Sequence, residues 1–253
     1  MIGRLITWLF AGTANRSARP QHLPERVRMI VERNPLAFPP CVADPLLREV
    51  HLADAAAMKV LSESEGGGTA RQLLRWDGER LSILLGSFEL PDEREPATAL
   101  EAPTILAWRL LEDLCVAANA IEDELLRDAT LEDVWQRLGN EEQAWSHAHA
   151  WVQEALAENP QFFPSWMLEE LNLGVAVVER RPQVDPEALG LFEETEAGRC
   201  IAIVLPSVLD EVRGCGRSAF MREVLLTLVH EFEHCWGSIR GVDPLADRES
   251  RLY

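Results

Sequence analysis

The chain has 253 residues, of which 47% are hydrophobic, and its 42 acidic and 24 basic residues give a formal net charge of −18. This composition supplies enough apolar surface for one large domain or two small ones, which indicates a globular protein. The negative charge argues against partners such as nucleic acid or an anionic membrane, because phosphate binding depends on clustered lysine and arginine. A basic protein or peptide substrate would complement this charge, and high charge alone also keeps a protein soluble.

Residues 1–42 are predicted to form an N-terminal arm. The apolar run in 1–12 favours a short amphipathic helix docked on the domain, with the core of a signal peptide as the alternative. It is shorter than the roughly 20 apolar residues that span a bilayer. Residues 13–42 are rich in arginine and proline, so we expect them to be extended along the surface.

Residues 43–160 are predicted to form a mainly helical domain with one β-hairpin. A helix is expected over 44–59, followed by a glycine-rich loop at 62–69. Two apolar segments, 71–76 and 79–85, flank Asp77-Gly78, a dipeptide that suits a two-residue hairpin turn. The acidic, proline-containing stretch 91–103 is expected to be a loop.

Two long helices are predicted to complete this domain. Residues 104–127 place apolar side chains at helical spacing. The members of this apolar face are Leu106, Leu110, Leu111, Leu114, Cys115 and Ala118. Thr130 is expected to cap a second helix that runs to Glu158, with Asp133 at the capping-box position. The five cysteines show no paired spacing, and we expect free thiols in the reducing cytoplasm.

Residues 161–253 are predicted to be a third region with mixed structure. The β-branched segments 173–179 and 200–205 predict strands, and 206–212 predicts a helical turn. An exposed strand edge can hold a peptide through backbone hydrogen bonds. We therefore expect one of these two strands to border a substrate cleft. Gly214-Cys215-Gly216 is expected to break the chain before a final long helix.

The final long helix carries the motif His230-Glu231-Phe232-Glu233-His234, which has the pattern HExxH. On a helix, side chains four positions apart lie on the same face, so both histidines can bind one zinc ion. Glu231 then lies beside the metal, where a carboxylate can accept a proton from water and return it to a leaving amine. Ser218 is a candidate N-cap of this helix. A core helix whose histidines are only hydrogen-bonded is the alternative.

A catalytic zinc usually takes three protein ligands, so a third is needed after His234. Gly237 suits a turn after the second histidine, but Arg240 occupies the place of a third ligand and cannot bind a cation. Asp243 is the first candidate, Glu249 the second and Asp247 the third. Asp243 also fits the N-cap of a short helix that starts at Pro244. Arg240 is the candidate for stabilising an oxyanion, and Cys235 is expected to be a packing residue.

The last 90 or so residues resemble the minimal zincin-like metallopeptidases of bacteria. The match runs through Pro164-Ser165-Trp166, the segment 175–179, the segment 186–192, the segment 201–204 and the stretch 229–237. The resemblance implies an α+β zincin fold with both histidines on its active-site helix. Family members tend to carry glycine where this chain has Glu233, and aspartate where it has Arg240.

Two functions follow from these observations. The first is a zinc-dependent peptidase of the cytoplasm, in which His230, His234 and a downstream carboxylate bind Zn²⁺ and Glu231 is the general base. The second is a catalytically inactive protein that keeps the zincin fold for interaction or regulation. The missing ligand at position 240 is what keeps the second open. The sequence does not define an oligomeric state.

Overall fold

A computed structural model describes residues 22–52, 73–84, 96–183, 185–195 and 198–240 of the chain. The protein is α+β, and its described part contains nine helices and two three-stranded sheets. The chain divides into two compact units, Met1–Arg127 and Asp128–Tyr253. The division follows Arg127, whereas the sequence predicted a boundary after residue 160. The reason is that helices that follow residue 127 pack against the C-terminal helix.

The first unit contains three described helices and one small sheet. Its helices are α1 (Leu23–Arg33), α2 (Pro40–Arg48) and α3 (Pro96–Leu126), and its strands are β1 (Val50–Leu52), β2 (Leu74–Trp76) and β3 (Leu81–Ile83). The central strand β3 pairs in parallel with β1 and antiparallel with β2. Apolar residues of α1, α2, α3 and the sheet form the buried core of this unit.

The predicted extended arm is wrong over its described part, because residues 23–33 and 40–48 are helical. Each of these helices has proline in its first turn. Proline is well tolerated there because the first N–H groups of a helix have no intrahelical partner. The prolines therefore mark helix starts. The predicted helix 44–59 is also wrong in its extent, since α2 ends at Arg48 and β1 follows.

The predicted hairpin is confirmed, and its turn lies one residue later than expected. Strands β2 and β3 are antiparallel, with Trp76 opposite Leu81. The N–H of Asp77 donates to the carbonyl of Arg80 over 3.3 Å, so Gly78 and Glu79 are the two central residues. Gly78 has φ of +98°, a conformation that glycine adopts without steric cost. The Asp77 carboxylate accepts the N–H groups of both Glu79 and Arg80.

The helix predicted over 104–127 is confirmed, and it begins earlier, at Pro96. The expected loop 91–103 is therefore wrong for its last eight residues, while 85–95 lie outside the described residues. Pro103 lies inside this helix, and its carbonyl accepts a hydrogen bond from Arg26 on α1. All six residues of the predicted apolar face are at most 3% exposed.

The second unit contains six described helices and a second sheet. Its helices are α4 (Leu131–Leu138), α5 (Glu141–Trp145), α6 (Ala148–Glu158), α7 (Ser165–Leu171), α8 (Leu205–Glu211) and α9 (Arg217–Arg240), and its strands are β4 (Leu173–Val178), β5 (Gly190–Thr195) and β6 (Gly198–Val204). The order in the sheet is β4-β6-β5, with β6 parallel to β4 and antiparallel to β5. Helix α9 packs on β5 and β6.

The capping box at Thr130 and Asp133 is confirmed, but the single helix predicted to run to Glu158 is wrong. Three helices, α4, α5 and α6, occupy this stretch. Gly139 ends the first with φ of +80°. The side chain of Asn140 then accepts the N–H groups of Glu142 and Gln143, which caps the second. A glycine followed by a capping asparagine interrupts a helix because each favours a terminal position.

Helix α9 begins at Arg217, directly after a glycine break. Gly214 and Gly216 both have positive φ, at +84° and +92°. The carbonyl of Gly216 accepts the N–H of Phe220, so Gly216 takes the N-cap place predicted for Ser218. Ser218 is instead buried in the first turn. A Cβ atom on Gly216 would lie 2.9 Å from Cβ of Leu138, so the absence of a side chain lets α9 start against α4.

The strands predicted at 173–179 and 200–205 and the helical turn at 206–212 are confirmed as β4, β6 and α8. In the described ranges, no helix combines the length and the apolar character needed to cross a bilayer. The expectations for residues 1–21 and 53–72 lie outside the described residues.

Candidate metal centre

The two histidines of the HExxH motif direct their Nε2 atoms toward each other. The Nε2 atoms of His230 and His234 lie 3.1 Å apart. The ring centroids are 4.7 Å apart, and the ring planes are almost perpendicular at 88°. Two nitrogens that bind one zinc ion at about 2.1 Å in tetrahedral geometry are separated by roughly 3.4 Å. The observed separation is close to this value, and it is also the length of a hydrogen bond between the two rings.

These histidines are accessible from solvent, so they do not lie in the core, but the hydrogen-bonded alternative is kept because their Nε2 atoms are within hydrogen-bonding distance. His230 is exposed and His234 is half-buried, although both belong to a helix whose other side is closed by the core. The predicted apolar side of α9 is confirmed, because every member is at most 2% exposed. Its members are Phe220, Val224, Leu225, Leu228, Val229 and Phe232. Buried packing on one side thus fixes the helix, and the imidazole pair stays open to incoming ions.

Glu231 lies between the histidines in sequence and is only 7% exposed. Burial raises the pKa of its carboxyl group to about 7, because a charged carboxylate loses solvation in an apolar setting. A group with this pKa accepts and returns protons readily near neutral pH. Glu231 therefore has the properties of an acid and base at the position next to the imidazole pair.

Strand β5 forms one wall beside Glu231. At Gly190, the first residue of β5, an added Cβ would lie 2.6 Å from Cγ of Glu231 and 2.8 Å from its Oε1. The same Cβ would lie 2.7 Å from Cγ2 of Thr227. Only a residue without a side chain fits here. Gly190 therefore allows β5 and α9 to approach each other at the carboxyl group of Glu231.

The strand that contacts Glu231 is β5, which lies at one edge of the sheet. The expectation that β4 or β6 borders a substrate cleft stays a prediction. The N–H of Val204 donates to the carbonyl of Leu189, one residue before the Gly190 and Ile203 pair. Gly190 is therefore in a non-hydrogen-bonded pair, and its own N–H and C=O point away from β6. Within the described part of this sheet, no strand pairs with that edge.

The third ligand is not defined by the described residues. In the ranges that the structure covers, no group of three or more histidine, cysteine, aspartate or glutamate side chains is placed to hold a metal ion. The three carboxylates considered from the sequence, Asp243, Glu249 and Asp247, belong to residues 241–253, which lie outside the described ranges. His230, His234 and Glu231 are thus brought together, and their predicted partner stays a prediction.

The turn predicted at Gly237 is wrong, because α9 continues through it to Arg240. Gly237 is buried inside the helix. Arg240 places its guanidinium carbon 4.6 Å from the centroid of the Trp236 ring. Trp236 in turn meets Trp166 of α7 edge to face, with centroids 5.4 Å apart. Arg240 is therefore engaged with an aromatic ring on a different side of α9 from the histidines.

Cys235 packs as the sequence predicts. It is 0% exposed, and burial raises the pKa of its thiol to about 11. A thiol in this state is a small packing group and a poor metal ligand, because metals bind the thiolate. All five cysteines lie in the described ranges, and no disulfide joins any two of them.

Two residues beside Glu231, Gly190 and Thr227, were missed as functional residues by sequence reasoning. Gly190 lies in the segment 186–192, which carries part of the family resemblance. This was the one feature of the sequence that could have pointed to Gly190. Thr227 shares a helix face with His230 and His234, which the helical period alone reveals. Neither signal shows that strand and helix touch at the carboxyl group.

No protein-family model, curated protein or solved structure matches the chain.

Proposed function

We propose that the protein is a zinc-dependent peptidase of the zincin type, with His230 and His234 as metal ligands and Glu231 as the general base. The observation that carries the proposal is the 3.1 Å separation of the two Nε2 atoms. A second observation supports the proposal: Glu231, the residue after His230, carries a buried carboxyl group. The remaining ligand is expected from Asp243, with Glu249 and Asp247 as alternatives.

Zinc bound at the imidazole pair supplies Lewis acidity, which polarises a peptide carbonyl and makes a water molecule more acidic. Glu231 takes the proton of the attacking water and later gives it to the amine that leaves. Residues on the buried side of α9 hold this carboxyl group in place through core packing.

The substrate is proposed to be an extended peptide that lies along β5. Gly190 and Phe192 both occupy non-hydrogen-bonded positions opposite β6, so their backbone groups face outward and can pair with a peptide strand. Farther along β5, Glu193 is exposed, whereas Glu194 forms an ion pair with Arg199 of β6 at 2.8 Å. Together with the net charge of −18, the carboxylate of Glu193 favours a basic peptide.

The proposal is tested by combining metal analysis with one conservative substitution. The purified chain is expected to hold zinc by elemental analysis and to cleave an unfolded, dye-labelled basic protein. Glu231→Gln keeps the size of the side chain and removes the base, so it should lower kcat by about a hundredfold or more. Glu154→Gln is the control, because Glu154 is exposed on α6 of the same unit.

The outcomes separate the two functions. Zinc-dependent cleavage that is lost in Glu231→Gln and kept in Glu154→Gln supports the peptidase. A protein that binds no zinc and retains its binding partners after His230→Ala overturns it in favour of an inactive zincin-fold interaction protein.

A further inference from the structure

Thr227 carries a buried hydroxyl group that the fold leaves unsatisfied. The residue is 5% exposed. Its Oγ1 is closed to solvent and has no hydrogen-bond partner among the described residues. Threonine inside a helix commonly donates to the carbonyl three or four residues earlier, and Thr227 does not. A buried polar atom without a partner destabilises a fold, so its presence here needs an explanation.

The surroundings of Thr227 fix the direction of its side chain. It lies one helical turn before Glu231 on α9, and both residues border the space that a side chain at Gly190 would fill. The methyl carbon Cγ2 takes the position against Gly190, at 2.7 Å from the Cβ point. The hydroxyl oxygen occupies a different position on Cβ, so the contact with Gly190 does not account for it.

Glu231 is the acceptor that this geometry favours. Side chains on an α-helix lean toward its N-terminus, so the carboxyl group of Glu231 leans toward the level of Thr227. Hydrogen bonds of catalytic groups often close only when the substrate is bound. Thr227 and Glu231 are neighbours on one helix face, and the unbound protein makes no hydrogen bond between them.

We propose that Thr227 is a positioning residue for the hydrolysis, with its hydroxyl donating a hydrogen bond to the carboxylate of Glu231. This inference rests on the proposed function. The hydroxyl holds one carboxylate oxygen and leaves the other to receive the proton of the attacking water. Thr227 keeps its own proton throughout, so the proton balance of the reaction is unchanged.

Two substitutions at one position test this role. Thr227→Val keeps the methyl contact with Gly190 and removes the hydroxyl, whereas Thr227→Ser keeps the hydroxyl. We expect Thr227→Val to lower kcat about tenfold, the loss that one charge-assisted hydrogen bond produces. KM and zinc content should be unchanged, and Thr227→Ser should keep most of the wild-type kcat.

Thermal unfolding of the same variants gives a readout that does not depend on activity. Because the hydroxyl is unsatisfied before substrate binds, Thr227→Val should leave the unfolding midpoint equal or raise it. A lowered midpoint overturns the inference, since it means that the hydroxyl already has a partner. A wild-type kcat in Thr227→Val overturns the inference alone, whereas a wild-type chain without zinc and without cleavage overturns the proposed function as well.

Discussion

Gly190 and Glu231 lie so close together that a Cβ atom on the glycine would stand 2.6 Å from Cγ of the glutamate. Gly190→Ala must therefore displace either the start of β5 or the carboxyl group. A misplacement of about 1 Å at a reacting group costs roughly a hundredfold in rate. We expect Gly190→Ala to lose activity by about tenfold to a hundredfold on this ground, measured as kcat on the dye-labelled basic protein.

The matched control for this variant is Gly174→Ala on β4. A Cβ atom at Gly174 would meet the carbonyl of Arg199 at 3.7 Å, which is ordinary van der Waals contact. Both glycines belong to the same sheet, so both substitutions test the strand propensity of alanine, and only the first tests the space beside Glu231. Equal activity in the two variants would show that this contact does not govern the reaction.

The motif helix was predictable because its signals are local. Six apolar residues at helical spacing and two histidines four positions apart define the buried and open sides of α9 without tertiary information. Strands β4 and β6 were predictable for the same reason, since runs of β-branched residues favour strands wherever they occur.

Strand β5 was not predictable from its own residues. It combines Gly190, Glu193 and Glu194, which are depleted in strands, with Phe192 and Thr195, which are enriched in them, so its composition gives no clear strand signal. Its conformation depends on pairing with β6, and its contact with Glu231 joins positions far apart in sequence. The position of the third ligand is not given by the structure, because Asp243 lies outside the described residues.

Removal of one imidazole should greatly weaken zinc binding. His234→Ala leaves a single ring on α9 for the ion, so we expect zinc affinity to fall by more than about a hundredfold, beyond the usual effect of an outer-shell change. Competition with a chromogenic chelator measures it. His147→Ala is the control, because His147 is exposed and stacks on Trp151 with centroids 5.8 Å apart. Equal zinc affinity in the two variants contradicts a shared site at the motif.

Asp113 is expected to make the stability of the first unit depend on pH. Its Oδ2 accepts the N–H groups of Leu73 and Leu74, at 2.6 and 2.9 Å. Burial raises the pKa of this carboxyl group from 3.8 to about 6, against the opposing effect of those two hydrogen bonds. The folded state therefore holds the proton more tightly than the unfolded state does. Protonated Asp113 therefore contributes its full stabilisation below about pH 4, and this contribution is lost as the pH rises through about 6.

Denaturation by urea between about pH 4 and 7 checks this dependence. The side-chain amide introduced by Asp113→Asn cannot titrate in this range, so the substitution should remove up to about 3 kcal/mol of pH-dependent change in the free energy of unfolding. Asp123→Asn provides the comparison, since Asp123 is exposed on the same helix. If wild type and Asp113→Asn differ by a constant amount at every pH, the carboxyl group does not titrate as expected.

Glu141 is expected to stabilise the second unit by joining α4 to the loop before α9. It is 3% exposed. Its Oε2 accepts the indole N–H of Trp135 at 3.1 Å, and its Oε1 accepts the N–H of Gly214 at 2.9 Å. Glu141→Ala leaves two half-buried donors without this acceptor, and an unsatisfied donor costs about 1 to 3 kcal/mol when it is fully buried. We expect a loss of roughly 1 to 3 kcal/mol in the free energy of unfolding.

Glu141→Gln separates the two hydrogen bonds from the general effect of truncation. Glutamine keeps one carbonyl oxygen as an acceptor and turns the other group into a donor, which opposes the second N–H. Its loss should be intermediate between those of wild type and Glu141→Ala in a urea titration. Glu142→Ala removes the exposed neighbouring carboxylate, and it should change stability by less than about 0.5 kcal/mol. A loss in Glu142→Ala as large as that in Glu141→Ala would mean that truncation on α5, and not the paired acceptors, destabilises the unit.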